Sequence, residues 1–171
     1  MKTVQREKRV VLKHSFDTNS ITAVNTVGES PYVSMENYQH VTFHVITNAV
    51  GDDMVVSLEQ STTFTTTGTK AVAFDTIYRA AHLDGTATNR DKFSPVAVSG
   101  NAHTLTSSDA TCQYLIEVDS SSLDRDNGFK CVRVVFDDPG ATTIVTTVAE
   151  MKEANFAGQE DSTGIFPSAL G

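Results

Sequence analysis

The stretch "QHVTFHVITNAVGDDMVVSLEQ", residues 39–60, decides the fold class because apolar and polar residues alternate on both sides of a turn signal. In its first half, Val41, Phe43 and Val45 share one face of an extended chain, and the residues between them share the other. A period of two residues is that of a half-buried β-strand. The first half therefore predicts a strand.

The second half of the stretch repeats the pattern, with Met54, Val56 and Leu58 on one face. Between the two halves, "NAVGDD" contains Gly51 and two aspartates, which favour a turn. Two alternating runs joined by a short turn predict a β-hairpin over residues 39–60.

The same alternation recurs along the rest of the chain. It predicts strands in "KAVAFDTIYRA" (70–80), at 96–98 and 102–106, in "TCQYLIEVD" (111–119), in "FKCVRVVF" (129–136) and in "TTIVTTVAE" (142–150). The expected inward side chains are Val72, Phe74, Thr76, Tyr78, Tyr114, Ile116, Val118, Val132, Val134 and Phe136. Turns such as "DDPG" (137–140) separate these short strands. We therefore predict an all-β fold, an antiparallel β-sandwich that is jelly-roll-like, with extended N- and C-terminal arms.

The charge distribution divides the chain into a body and two ends. The formal net charge is −8, yet residues 1–13 hold five basic residues and one acidic residue, a balance of +4 that leaves −12 on the remainder. A basic segment on an acidic body suits docking onto a neighbouring acidic subunit, and a solvated terminus explains it equally well. The acidic body argues against nucleic-acid binding. We assign residues 1–30 to a basic arm and lead-in, 31–154 to the β-sandwich domain and 155–171 to a C-terminal tail.

A polar segment within "IEVDSSSLDRDNGFKCVRVVF", residues 116–136, places Asp119, Asp124 and Asp126 near Gly128, as calcium ligands would be placed. An EF-hand calcium loop requires glycine at its sixth position and glutamate at its twelfth. Here the glycine falls one place early, and no glutamate follows at the required distance. Asn-Gly accepts positive φ and commonly ends a turn before a strand. The segment is therefore predicted to be a connector between two strands.

No motif in the sequence predicts catalysis, a metal site or a cofactor. His40 and His44 share a strand face, but their Cβ atoms would be roughly 13 Å apart, too far for one zinc ion, so structural or exposed roles are expected. The pairs Asp52–Asp53 and Asp137–Asp138 lie in turns beside glycine, where aspartate bonds locally. Neither GxSxG nor a phosphate-binding glycine motif occurs. We expect a protein that is not an enzyme, with no catalytic residues, no metal and no cofactor.

The two cysteines, Cys112 and Cys131, fall in alternating apolar runs, where buried thiols are favoured over a disulfide. The beginning of the sequence lacks the apolar region of a signal peptide, and no segment has the length and apolarity of a membrane span. We therefore expect synthesis in a reducing compartment and no membrane partner.

Two parts of the sequence resemble a known family. "YVSMENYQHVTFHV" (32–45), followed by "VSLEQ" (56–60) and "KAVAF" (70–74), is similar to the opening of small virion proteins encoded beside the major capsid gene in tailed bacteriophages. "QYLIEVDSSSLDRDNGFKCVRVVFDDPGATTIVTTVAE" (113–150) is similar to a later portion of those proteins. The resemblance covers about residues 32–150 and rests on structural residues.

The resemblance implies a head decoration, or cement, protein that binds the outer surface of the phage capsid and is made in the host cytoplasm. Its expected partners are the major capsid protein and further copies of itself, as a trimer or dimer. From their composition, we expect contacts at basic residues of the arm and apolar residues of the tail: Lys2, Arg6, Lys8, Arg9, Phe156, Ile165, Phe166 and Leu170. Two alternatives stay open: another virion component, such as a tail, neck or fibre protein, and a sugar- or receptor-binding β-sandwich module.

Overall fold

The computed structural model describes residues 8–12, 20–21, 28–47, 52–81, 92–106, 112–140 and 143–154. Within these residues the chain forms β-strands, two short 3₁₀ turns at Ser120–Ser122 and Arg125–Asn127, and no α-helix. The thirteen strands are β1 (Lys8–Leu12), β2 (Ser20–Ile21), β3 (Gly28–Glu29), β4 (Val33–Ser34), β5 (Tyr38–Thr47), β6 (Met54–Ser61), β7 (Lys70–Ala71), β8 (Thr76–Ala81), β9 (Ser94–Ala97), β10 (Ala102–Leu105), β11 (Cys112–Asp119), β12 (Cys131–Phe136) and β13 (Thr143–Ala154). The prediction of an all-β fold is confirmed.

The strands form two antiparallel sheets. The first sheet has the strand order β1-β13-β5-β11-β8-β9, and β2 pairs with β13 beside this path. The second has the order β10-β6-β12-β3, with β4 paired to β12 and β7 paired to β6. From β10 onward, each strand lies in the opposite sheet from the strand before it, so the chain crosses between the sheets repeatedly.

Strands β5 and β6, which are consecutive in the chain, lie in different sheets. β5 pairs with β11 and β13, whereas β6 pairs with β12, β10 and β7. The predicted hairpin over residues 39–60 is therefore wrong, although both of its strands are present. The alternation of apolar and polar residues specifies which face of a strand is buried, but not which strand is its neighbour. The sequence at 48–53 is therefore compatible with either a hairpin turn or a crossing between the sheets.

The core is formed by the inward faces of both sheets. The side chains predicted to point inward from β5, β6, β11 and β12 are all buried, with 0–3% of their surface exposed: Val41, Phe43, Val45, Met54, Val56, Leu58, Tyr114, Ile116, Val118, Val132, Val134 and Phe136. They belong to one continuous cluster of buried apolar residues. By contrast, Ile46 on the outward face of β5 is 41% exposed. Removal of this shared apolar surface from water holds the two sheets together.

The predicted strand at 70–80 is divided between the sheets. Its first two residues form β7 in the second sheet, and its later residues belong to β8 in the first. Val72 and Phe74 are buried as predicted. Thr76 and Tyr78, which were predicted to point inward, are half-buried, and Ile77 between them is fully buried instead. The crossing between the sheets shifts the alternation by one residue, which a continuous strand would not do.

The predicted turn at 137–140 is present. Gly140 has a φ of +65°, which glycine adopts readily because it has no Cβ. Asp138 Oδ1 accepts a hydrogen bond from Gly140 N–H at 3.0 Å. The Asp137 carboxylate accepts one from Val55 N–H, and Asp137 N–H donates to Val55 O at 3.0 Å. Asp138 therefore bonds locally, as the sequence predicted, whereas the local bond predicted for Asp137 is wrong: its carboxylate bonds to β6, 82 positions away in the chain.

Cys112 and Cys131 are free, buried thiols, as predicted. Burial raises the pKa of the Cys131 thiol to about 11. Because the thiolate is the reactive form, a buried and protonated thiol of this kind is chemically inert near neutral pH.

We expect neither thiol to react with Ellman's reagent in the folded protein at about pH 8, because both side chains are buried and the thiolate of Cys131 is disfavoured. Both should react once the chain is unfolded in guanidinium chloride. Absorbance of the released thionitrobenzoate counts the reactive groups. Rapid reaction of one equivalent with native protein would contradict the burial.

A second prediction concerns the core. Phe43→Ala should lower the free energy of unfolding by about 3–5 kcal/mol, because it removes a fully buried ring between the sheets. Ile46→Ala on the same strand is the matched control and should cost less than about 1 kcal/mol, since Ile46 is largely outside the core. Urea unfolding followed by circular dichroism measures both values. Equal losses in the two variants would refute the assignment of the buried face.

Candidate functional site

The structure describes two of the predicted contact residues. Lys8 and Arg9 lie in β1, in register with Met151 and Glu150 of β13. The others lie outside the described residues: Lys2, Arg6, Phe156, Ile165, Phe166 and Leu170. Subunit contacts by the two ends of the chain therefore stay a prediction, and β1 itself is an edge strand of the first sheet.

A cleft of about 610 Å³ lies where the beginning of β5 and the end of β11 meet the beginning of β8. The crossings at 73–75 and 98–100 also border it. We call this space the acidic cleft. Its polar lining consists of His40, Asp75, Thr76, Tyr78, Glu117, Asp119 and Ser122. Cavities of roughly 300–1,000 Å³ are typical of small-molecule sites, so the volume suits a ligand of that size.

Alternation on β11 places its acidic side chains at the acidic cleft. Ile116 and Val118 point inward and are buried, so Glu117 and Asp119 point outward, with 45% and 65% of their side chains exposed. His40 is in register with Asp119 on the neighbouring strand β5. Its Nδ1–H donates to Asp119 Oδ1 at 3.0 Å, and its Nε2 lies 4.0 Å from Glu117 Oε1. One imidazole thus lies between two carboxylates.

Two backbone hydrogen bonds hold the opposite side of the acidic cleft. Phe74 N–H donates to Gly100 O at 3.1 Å, and Val98 N–H donates to Asp75 O at 2.7 Å. Phe74 is buried, and the half-buried Val98 packs against the core, so these two residues supply an apolar wall. The exposed Asp75 and the half-buried Tyr78 line the same space.

The acidic cleft therefore combines hydrogen-bond acceptors with an aromatic ring. Asp75, Glu117 and Asp119 supply carboxylate oxygens, and His40 is the one basic side chain among the lining residues that the structure describes. This imbalance favours neutral or positively charged ligands over anions. In the described part of the chain, no group of three or more His, Cys, Asp or Glu side chains is arranged to hold a metal ion.

A second histidine–carboxylate pair lies on the outward face of the first sheet. Glu150 Oε2 lies 3.2 Å from His44 Nε2 and 3.2 Å from Lys152 Nζ, and 6% of the Glu150 side chain is exposed. His40 and His44 are thus paired with different carboxylates, which agrees with the separation expected from their spacing along the strand.

A further buried ionic cluster lies on the second sheet around Arg133. Only 6% of its side chain is exposed, and it donates to Glu59 Oε2 through Nε at 2.8 Å and to Glu29 Oε1 through Nη2 at 2.8 Å. The ring of Tyr32 covers the guanidinium, with its centroid 4.7 Å from Cζ. Tyr32 OH donates to Glu59 Oε2 at 3.1 Å. The cluster ties the segment at 28–32 to β6 and β12.

The pKa values of this cluster report tight pairing. Burial alone would raise the pKa of Glu59, but hydrogen bonds from Arg133 and its neighbours outweigh burial and hold the pKa below its ordinary value. Burial likewise opposes the charge of Arg133, yet its bonds to Glu29 and Glu59 raise the pKa of the guanidinium. Burial raises the pKa of the Tyr32 hydroxyl. Glu59 and Arg133 are therefore charged at neutral pH, and the Tyr32 hydroxyl keeps its proton.

Sequence reasoning missed the Arg133 cluster, although a signal was present. Arg133 is a single charge inside the buried run "CVRVVF", and a charge in such a run requires partners. The sequence does not name those partners, because Glu29 and Glu59 lie 104 and 74 positions away from it.

The polar segment between β11 and β12 is a connector, as predicted. Asp124 accepts hydrogen bonds from Lys70 Nζ at 2.6 Å and from Asn127 Nδ2 at 2.9 Å, and its N–H donates to Gln60 Oε1 at 2.8 Å. The bonds from Lys70 and Asn127 hold the pKa of Asp124 below its ordinary value. Gly128 has a φ of +80°. The aspartate thus fastens the turn to β6 and β7.

A scan against protein-family models finds no match to this chain, and a search of curated proteins finds none either. Among the described residues, no helix is long and apolar enough to span a membrane.

The Arg133 cluster generates a stability prediction. Arg133→Met should lower the free energy of unfolding by about 2–4 kcal/mol, because Glu29 and Glu59 lose their shared partner. Their side chains are 34% and 26% exposed, so solvent offsets part of the loss. Lys130→Met breaks an exposed pair with Glu36 and should cost less than about 1 kcal/mol. Urea unfolding at about pH 7 compares the two. Unchanged stability of the Arg133 variant would contradict the role of the cluster.

The pH dependence of the same variant supplies an independent test. The pKa of Glu59 is lower in the folded state than its ordinary value of 4.5, so the unfolded chain takes up the proton first as the pH falls. The stabilisation is present above pH 4.5 and is lost as the pH falls through the folded pKa. Arg133→Met should remove this component, so the difference in stability between the variant and wild type should shrink below about pH 4.

Proposed function

We propose that this protein is a virion structural protein that binds the outer surface of a phage capsid and stabilises the head, as a decoration or cement protein. The observation that best supports the proposal is the order in which its strands pair. The resemblance of residues 32–150 to small virion proteins of tailed bacteriophages points to the same role.

Eight strands of the two sheets pair in a nested order. Counted along the chain, these strands are β1, β3, β5, β6, β10, β11, β12 and β13. β1 pairs with β13, β3 with β12, β5 with β11 and β6 with β10. In this set of eight, the first strand therefore pairs with the last, the second with the last but one, and so on inward. Nested pairing of eight antiparallel strands supports a jelly-roll sandwich, an architecture that viral capsid proteins use.

A protein of this build would reinforce a shell by adhesion. Burial of roughly 2,000 Å² or more across subunit boundaries is typical of obligate interfaces and would oppose the internal pressure of a packaged genome. Close packing between the sheets makes the body stiff, so that a load on one edge reaches the other. Extended arms at the two ends of the chain would add contacts to neighbouring subunits.

The charge distribution fits docking within an assembly. Residues 1–13 carry a balance of +4, and the remainder of the chain carries −12. Electrostatic complementarity of this kind speeds association and fixes orientation. The major capsid protein and further copies of this chain, as a trimer or dimer, are the proposed partners.

Capsid binding can be tested with a matched pair of charge reversals. Arg6→Glu should reduce the affinity of the full-length protein for heads stripped of their decoration protein by about fivefold or more, because it reverses a charge in the basic arm. Lys92→Glu changes the net charge equally at an exposed position of the body and should leave the affinity within about twofold. Co-sedimentation with the heads measures binding.

Cryo-electron microscopy of the same particles shows where the protein attaches. Density on the outside of the head shell supports the proposal, whereas density confined to the tail, neck or fibres would replace it with a different virion role. Equal binding of the two variants would refute the contribution of the basic arm.

A further inference from the structure

We infer that the acidic cleft is a binding site for a neutral saccharide, a function that goes beyond capsid adhesion and does not depend on it. The inference rests on a cleft of about 610 Å³ that places an aromatic ring, hydroxyl groups and three carboxylates together, one of them hydrogen-bonded to His40. That volume accommodates one or two sugar rings, within the roughly 300–1,000 Å³ range of small-ligand sites.

The polar lining matches the hydroxyl groups of a sugar. Carboxylate oxygens accept charge-assisted hydrogen bonds, and neighbouring hydroxyls of a pyranose can donate to both oxygens of one carboxylate. Asp75 is exposed at the acidic cleft, and the Asp119 carboxylate is oriented by the 3.0 Å bond from His40. The hydroxyls of Thr76 and Ser122 both donate and accept, as sugar hydroxyls do.

The apolar lining matches the carbon face of a sugar ring. Tyr78 is half-buried at the acidic cleft, and its aromatic ring offers a flat apolar surface with a polar hydroxyl at one end. Phe74 and Val98 close the wall through the backbone bonds at 3.1 Å and 2.7 Å, so the apolar surface is built into the crossings between the sheets. A lining with both apolar and polar surfaces selects amphipathic ligands.

The charge of the lining specifies which saccharides fit. Asp75, Glu117 and Asp119 repel an added carboxylate, whereas His40 is the one basic group among the described lining residues. Sialylated and uronic-acid sugars are therefore excluded, and neutral sugars are accepted. Binding of a neutral ligand gains nothing from long-range attraction, so it should depend little on salt.

The test uses full-length protein on a glycan array that contains neutral glycans and their sialylated counterparts. We expect binding to neutral glycans and at least about tenfold weaker binding to the sialylated forms. Titration calorimetry with the best neutral glycan should give dissociation constants within about twofold of one another at about 50 and 500 mM NaCl.

Four variants connect the binding to the acidic cleft. Asp75→Ala and Tyr78→Leu should each weaken binding by about tenfold or more. Their control is Asp126→Ala, which removes an exposed carboxylate outside the cleft and should stay within about threefold of wild type. Tyr78→Phe keeps the ring but loses the hydroxyl, so it should weaken binding less than Tyr78→Leu does. Thermal unfolding checks that each variant is folded, and the Phe and Leu pair separates the contribution of the hydroxyl from that of the ring.

Several outcomes would overturn the inference. These are the absence of binding to any glycan, a preference for sialylated forms, or equal binding by Asp75→Ala, Tyr78→Leu and wild type. Binding of an oligolysine peptide in place of glycans, with affinity that falls steeply with salt, would also overturn it and would identify the acidic cleft as a docking site for basic protein segments. None of these results bears on whether the protein attaches to heads.

Discussion

Burial of alternate side chains between two sheets is the interaction on which the rest of this structure depends. The inward residues of β5, β6, β11 and β12 have almost no exposed surface and form one cluster. Because successive strands lie mostly in opposite sheets, no sheet can assemble from one continuous segment of the chain. Each crossing is therefore stabilised by the same shared core, and the outward faces are left to polar chemistry.

Polar groups on the outward faces follow a second rule: in the described part of the chain, the two charged residues that are buried, Arg133 and Glu150, both have partners of opposite charge. Arg133 lies between Glu29 and Glu59, and Glu150 lies between His44 and Lys152. An acidic chain can bury carboxylates only if cations or hydrogen-bond donors accompany them. The carboxylates of the acidic cleft differ, since two of them keep about half or more of their side-chain surface in solvent. That accessibility separates a structural carboxylate from one that can meet a ligand.

The sequence predicts the faces of strands far better than their neighbours. Val41 and Phe43 are buried because strand geometry alone assigns them to one side. The hairpin at 39–60 fails because pairing is decided by the whole core, which a local pattern does not describe. The acidic cleft could not be predicted for the same reason: His40, Asp75 and Asp119 come from three distant segments. Their meeting depends on strand order, whereas the turns around Asp138 and Asp124 depend on local chemistry and were found.

The position of the acidic cleft in the proposed roll is compatible with both proposals, adhesion by the body and saccharide recognition by the cleft. Strands β7, β8 and β9 stand between the fourth and fifth strands of the nested set, so they are an insertion into it. The insertion extends the first sheet beyond β11 and supplies Asp75 and Tyr78, whereas the nested strands supply His40 and Asp119. Val72 and Ile77 of this region are buried in the shared core, whereas Asp75 is exposed and Tyr78 half-buried, so the side chains that line the acidic cleft can change at less cost to the body than the buried residues beside them. Function resides in sites added to a fold rather than in the fold itself, and the acidic cleft is therefore where we expect specificity to vary between proteins that share the proposed roll.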